Sequence, residues 1–308
     1  MTFVRPEDIR RVSKSVLRER RLPPWFKVTL RTGSDYHDIR RIIDQHGLHT
    51  ICEEARCPNV WECWNNRTAT FLILGDVCTR RCHYCAVTTG KPDGLDRDEP
   101  ERVAQAIDKL GLRHAVITSV NRDELDDGGA SVFADTIRAI RQRRLACTVE
   151  VLIPDFQGKK DALATVMAEK PDILNHNIET VHRLFPTIRP QGKYPRSLEV
   201  LDWAAKMGGR TKSGLIVGMG ETDKEIRQVM QDLRAVGCMI LSIGQYLQPT
   251  QDYWPVARFY TPEEFQAFRE EGLALGFHHV ESGPLVRSSY HAEQQTQTMH
   301  HDRQRVMC

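Results

Sequence analysis

The sequence predicts an α/β fold in which roughly six βα units follow one another to build a parallel barrel that stops short of closure. Three observations point there. From residue 69 onward, short runs rich in branched apolar residues alternate with longer stretches of helical periodicity. Leu110-Gly111, Val236-Gly237 and Leu275-Gly276 each end a helical stretch and lead within a few residues into an apolar run, as glycine at a helix C-terminus should. Helix starts are also signed: Thr222 with Glu225 spells a capping box, and Thr261-Pro262-Glu263-Glu264 supplies an N-cap, a first-turn proline and an acidic third position.

Taken in order, the expected strands are 70–74, 114–118, 148–153, 173–177, 213–217, 239–243 and 279–281, and the expected helices 101–111, 130–144, 159–169, 197–207, 223–236 and 262–275. Loops at the carboxyl ends of such strands build the active site. Residues 1–31 stand outside this rhythm, with nine Lys/Arg against three Asp/Glu, as does the Gln- and His-rich stretch 291–308. The first reads as a solvated basic extension or a dock for an acidic partner, the second as a disordered polar tail. Gly218-Met219-Gly220 lacks the full dinucleotide fingerprint and lies on the fifth strand rather than the first, so a dinucleotide fold is not indicated.

With 308 residues, 40% hydrophobic and 27% charged, the chain can bury a full core. A net charge of +2 gives no field that would make nucleic acid an obligatory partner. No apolar run approaches the ~18 residues of a membrane span, and residues 1–8 lack the order of a signal peptide, so the expected location is the cytoplasm. In that reducing compartment nine cysteines do not read as a disulfide framework, and six of them fall between positions 52 and 85. Clustered thiols there point to metal.

Cys78, Cys82 and Cys85 follow directly after the first expected strand. Three thiolates on a short loop hold three corners of a [4Fe-4S] cubane and leave one iron open for reaction. Cys52, Cys57 and Cys63 offer a second incomplete set. Structural zinc asks for four protein ligands, usually in paired spacings that neither set has. Cys147 and Cys238 read as small core residues, and Cys308 as a bystander on the tail.

The loop Cys78-x3-Cys82-x2-Cys85, with Tyr84 before its last cysteine, resembles the signature of the radical S-adenosylmethionine superfamily. The upstream Cys52, Cys57 and Cys63 are similar to the second cysteine motif of the lipoyl synthase family within it. From about residue 30 the likeness continues through Ser119-Val-Asn-Arg-Asp, Pro154-Asp-Phe-Gln-Gly158, His176-Asn-Ile-Glu-Thr180, Gly244-Gln-Tyr-Leu-Gln-Pro249 and Arg287-Ser-Ser-Tyr290. The resemblance implies a partial (β/α)6 TIM-like barrel with N- and C-terminal extensions that hold an auxiliary iron-sulfur cluster. It divides the chain into an extension over 1–68, a barrel over 69–282 and a C-terminal extension over 283–308. It implies two [4Fe-4S] clusters and S-adenosylmethionine as cofactors. Ser289 becomes the non-cysteine ligand of the auxiliary cluster, with Ser288 as the alternative.

An octanoyl chain carries unactivated C–H bonds that no side-chain acid or base ionises at neutral pH, so a radical is needed and a cofactor must carry it. On the resemblance, the cluster of Cys78, Cys82 and Cys85 binds and cleaves S-adenosylmethionine. The cluster of Cys52, Cys57, Cys63 and Ser289 gives up sulfur to carbons six and eight. Tyr84 is expected near the adenine or as an apolar lid. Asn121, Asn177 and Lys212, near strand ends, are expected as cofactor contacts or as members of a buried polar network. The implied partners are octanoylated lipoyl carrier domains, such as the acyltransferase subunit of a 2-oxoacid dehydrogenase or the glycine-cleavage H protein, and a ferredoxin- or flavodoxin-type electron donor. The nearest alternative is another sulfur-inserting radical enzyme, of the biotin synthase or methylthiotransferase kind.

Overall fold

The computed structural model describes residues 22–27, 33–143, 146–293 and 295. Most of the basic segment, most of the polar tail and Cys308 lie outside these residues. In chain order the strands are β1 (His49–Thr50), β2 (Thr70–Ile73), β3 (Val77–Cys78), β4 (Thr88–Thr89), β5 (His114–Ser119), β6 (Thr148–Leu152), β7 (Ile173–Asn175), β8 (Thr211–Val217), β9 (Ile240–Gln245) and β10 (His279–Gly283). β2, β5, β6, β7, β8, β9 and β10 are successive parallel neighbours in one sheet, and β1 adds an antiparallel edge to β2. Every strand expected from the apolar runs is present, with ends shifted by a residue or two. β10 and the β1–β2 edge do not pair, so the barrel stays open, as an α/β chain with fewer than eight units should.

The helices are α1 (Ser34–Gln45), α2 (Ile51–Glu54), α3 (Val60–Asn65), α4 (Glu99–Leu110), α5 (Ala130–Arg143), α6 (Lys160–Ala168), α7 (Phe185–Ile188), α8 (Tyr194–Lys206), α9 (Asp223–Ala235) and α10 (Pro262–Ala274). Those from α4 onward, α7 apart, are the crossovers that parallel strands require. α9 and α10 both begin with a reciprocal capping box, Thr222 with Glu225 and Thr261 with Glu264. α4 ends at Gly111 in the left-handed conformation, φ 65°. Gly129 belongs to packing: a Cβ there would collide with the Leu74 side chain, so the Gly128-Gly129 turn seats α5 against the end of β2.

Parallel strands covered by helices are buried on both faces, and side chains alternate between the helix layer and the barrel interior. On β8, Gly214 and Ile216 face the cavity at the carboxyl end. Lys212 is one step back on the same face, away from the mouth. Its ammonium sits 2.9 and 3.1 Å from the two oxygens of Glu150 on β6, both side chains fully buried, and Asn175 donates to the same carboxylate at 2.9 Å. Lys212 therefore does not line the cavity as a cofactor contact would, and takes the other expected place, in a buried polar network. It closes the floor of the barrel. Burial alone would raise the Glu150 carboxyl, but Lys212 and His114 outweigh it and hold it below the usual carboxylate range.

Lys212→Met leaves Glu150 charged and buried without its ammonium, so stability should fall by about 3–5 kcal/mol, while a joint Glu150→Leu/Lys212→Met change should recover most of the loss. Because the folded carboxyl is the stronger acid, the pair's contribution is complete above about pH 4.3 and drains away as pH falls below it. Denaturant melts of the three proteins between pH 3 and 7 check both statements.

Candidate active site

A cavity of about 470 Å³ opens at the carboxyl ends of the strands, where βα geometry places active sites. Cys78, Cys82 and Cys85 line one wall, and Cys52 and Cys57 line it as well. Beside it lies a small cleft shared by Cys52, Cys57, Cys63 and Ser289. Two cysteine sets separated along the chain by β2 thus meet at one mouth. None of the six forms a disulfide.

The first set rides a loop closed at its base by the β3–β4 pair. Its back is pinned on both sides, His83 N–H to Ile188 O at 2.9 Å and Trp254 N–H to His83 O at 2.9 Å. Arg80, between the first two cysteines, is almost wholly buried. It makes a bidentate contact to Asp123 at 2.6 and 2.7 Å and reaches Asp155 at 2.6 Å. Those carboxylates stand after β5 and β6, so Arg80 bolts the cysteine loop to two strand ends. The Cys78 Sγ accepts from the backbone N–H of Arg80 at 3.4 Å, and from the backbone and side-chain N–H of Asn121 at 3.3 and 3.7 Å.

The second set sits on two short turns of helix. Thr50 caps α2 through Glu53 N–H, the Cys57 N–H returns to Cys52 O at 2.9 Å, and α3 carries Cys63. The chain after β10 crosses this segment like a strap. The Asn59 amide donates to Leu285 O at 2.6 Å, the Thr70 hydroxyl to Ser289 Oγ at 2.8 Å, and the Tyr290 hydroxyl to Glu62 at 3.0 Å. The two serines of the strap part ways. Ser289 joins the cysteine cleft, whereas Ser288 turns to the barrel and accepts from Asn177 at 2.7 Å. Gly244 permits this crossing, since a Cβ on β9 there would run into the backbone carbonyl of Val286.

The donor sets fit iron-sulfur clusters. Burial pushes the Cys52 and Cys85 thiols up to about 12, and raises Cys57, Cys63 and Cys82 as well, so these sulfurs stay protonated unless a bound cation replaces their protons. Among the described residues no three or more His, Cys, Asp or Glu side chains are set closely enough to hold a lone ion, whereas a cubane spreads its ligands over separate irons.

The remaining wall is polar and charged. Glu179 holds a left-handed backbone, φ 68°, locked on both sides to β8 by hydrogen bonds to Gly214 and Ile216. A non-glycine residue is uncommon in this region and is held there by those bonds. Its carboxyl is raised by burial against the pull of Arg189. Arg189 is buried, donates to Asn177 O at 2.9 Å and stacks over Phe185. Tyr84 packs between this wall and the second half of the core. The carbonyl oxygens of the Asn121 and Asn177 side chains are buried with no hydrogen-bond partner among the described residues.

The model of the Radical SAM superfamily matches residues 72–233, and that of the N-terminal domain of lipoyl synthase matches residues 6–57. The lipoyl synthase of Rubrobacter xylanophilus is 61% identical over 277 residues, covering 89% of this chain and 86% of its own length. That of Symbiobacterium thermophilum is 59% identical over 278 residues, 90% and 87% of the two chains. The chain belongs to the lipoyl synthase family. Among solved structures, methylornithine synthase PylB aligns with a TM-score of 0.51 at 10% identity, covering 93% of this chain and 85% of that one. Streptococcus suis SuiB bound to S-adenosylmethionine aligns at 0.53 and 11%, covering 65% of this chain and 45% of SuiB, so the chain matches less than half of that larger protein. These likenesses establish the barrel.

Within the lipoyl synthase frame, the cavity gathers residues that sequence reasoning had left aside. Arg189 and Arg287 both line it, and Arg287 also borders the cleft of Ser289. Arg287 was visible only as part of a motif, and Arg189 carried no signal that the sequence reading used. Arg122, by contrast, turns to Leu74 O and Asp93 O and holds backbone.

Asn59→Ala removes the amide that ties the strap to the cysteine segment. It should cost about 1 kcal/mol, and limited proteolysis should cut the strap near residues 285–291 faster than in the parent. Unchanged cleavage would mean that the strap is held elsewhere.

Proposed function

We propose that this chain inserts two sulfur atoms into a protein-bound octanoyl chain, with Cys78, Cys82 and Cys85 holding a [4Fe-4S] cluster toward S-adenosylmethionine and Cys52, Cys57, Cys63 and Ser289 holding a second, sacrificial one. The observation that carries this reading is the meeting of both cysteine sets at one cavity, which gives an acyl chain between them access to each. When bound, the first cluster with S-adenosylmethionine supplies the radical that breaks the C–H bonds, and the second supplies sulfur.

The protein's own part is placement. Arg80 fixes the first loop to the strand ends through Asp123 and Asp155. The free carbonyl oxygens of Asn121 and Asn177 and the carboxyl of Glu179 offer acceptors for the ammonium and ribose hydroxyls of S-adenosylmethionine, and Arg189 offers a cation for its carboxylate. Leu72, Val120, Leu152, Leu215 and Val286 give an apolar lining suited to a hydrocarbon chain and keep water from the reacting carbons. Ser289 rather than Ser288 is the second cluster's oxygen ligand, because Ser289 shares the cleft of Cys52, Cys57 and Cys63 while Ser288 turns to Asn177. A hydroxyl oxygen is a harder donor than thiolate and leaves one corner easier to release.

The chain divides into an extension over 1–68, a barrel over 69–282 and a strap with tail over 283–308. Its substrates are octanoylated lipoyl carrier domains, the acyltransferase subunit of a 2-oxoacid dehydrogenase or the glycine-cleavage H protein, and its reductant is of the ferredoxin or flavodoxin type. No helix among the described residues is long and apolar enough to cross a membrane, which accords with work in the cytoplasm.

The reading is tested anaerobically with reconstituted protein, dithionite, S-adenosylmethionine and an octanoyl-lysine peptide, with products read by mass spectrometry. Lipoyl-lysine and 5'-deoxyadenosine are expected from the parent and neither from Cys82→Ala. Ser289→Cys should keep its iron yet form product several-fold more slowly, and Ser288→Ala should keep the second cluster intact. A Ser289→Cys protein as fast as the parent would remove the role given to the serine.

A further inference from the structure

The loop of the first cysteine set is zipped to the segment after β5. The Thr79 N–H and hydroxyl both donate to Asn121 O at 3.0 Å, and the Asp123 N–H donates back to the Thr79 hydroxyl at 3.1 Å. The zipper, with the Arg80 bolt beside it, presents three N–H groups to one sulfur, Cys78 Sγ. Two of them are backbone donors that no substitution removes. The third is the side-chain amide of Asn121, whose oxygen has no hydrogen-bond partner among the described residues. The bonds of the zipper already join the two segments without this side chain. Its one bond goes to the sulfur.

Hydrogen bonds to the sulfurs of an iron-sulfur cluster set its reduction potential, because the added electron places negative charge on those sulfurs and a donor stabilises the reduced form more than the oxidised one. We propose that Asn121 is a tuning residue that raises the reduction potential of the cluster held by Cys78, making the cluster easier to reduce for a weak physiological donor. The inference rests on the cluster assignment proposed above. It also separates Asn121 from a residue whose only duty is to touch S-adenosylmethionine, since such a contact would leave the potential unchanged when that molecule is absent.

The test is an EPR-monitored redox titration of the full reconstituted chain without S-adenosylmethionine, in a Cys57→Ala/Cys63→Ala background so that the first cluster alone reports. Asn121→Ala should make reduction roughly tenfold less favourable, a negative shift of about 59 mV for one electron. Asn121→Asp, which puts a carboxylate against the sulfur, should shift it further in the same direction. Asn121→Ser, too short to reach the sulfur, should match the alanine variant and serves should that one misfold. Variants that retain iron and titrate at the parent's potential overturn the tuning role. Absence of any reducible cluster in the Cys57→Ala/Cys63→Ala parent overturns the cluster assignment and the inference with it.

Discussion

The hydrogen bond from Thr70 to Ser289, 2.8 Å long, spans the place where the barrel fails to close. Thr70 begins β2 near one edge of the sheet, and Ser289 follows β10 at the other. A full barrel would fill that gap with further strands. Here the strap crosses it, and the cleft of Cys52, Cys57, Cys63 and Ser289 lies in the opening that remains. The second cysteine set reaches the mouth because the barrel is incomplete.

The interior divides into a floor and a chamber on the same alternation of side chains. Glu150 and Lys212 seal the lower layer as a buried ion pair supported by Asn175. One step nearer the carboxyl ends, Thr118, Leu152, Gly214 and Ser242 leave room for a cavity. Such a pair adds little net stability over an apolar filling but punishes the loss of either partner. The floor is thus polar yet rigid, and the space above it can be shaped for ligands.

Much of this was legible in the sequence. The seven parallel strands, the capping boxes and the Gly111 cap were readable because apolar runs and capping residues act locally. Both cysteine sets could be picked out by spacing alone. The helices α2 and α3 were not, since each is little more than a turn held by tertiary contacts such as that from Asn59 to Leu285. Lys212 was left between two places for a related reason. Period-two logic assigns it to the interior, but its depth depends on Glu150, 62 residues earlier. Spacing could not tell Ser288 from Ser289 either, because the contacts that separate them are with Asn177 and Thr70, far away in the chain.

In the function proposed above the two cysteine sets serve one substrate in different ways, the second as a source of sulfur. The most direct measurement is a single turnover by protein reconstituted with heavy-isotope sulfide, with the thiolated peptide weighed by mass spectrometry. The account predicts labelled sulfur in the parent's product, and from Cys57→Ala 5'-deoxyadenosine without any sulfur in the peptide. Unlabelled sulfur in the product, or thiolation that survives Cys57→Ala, would contradict it.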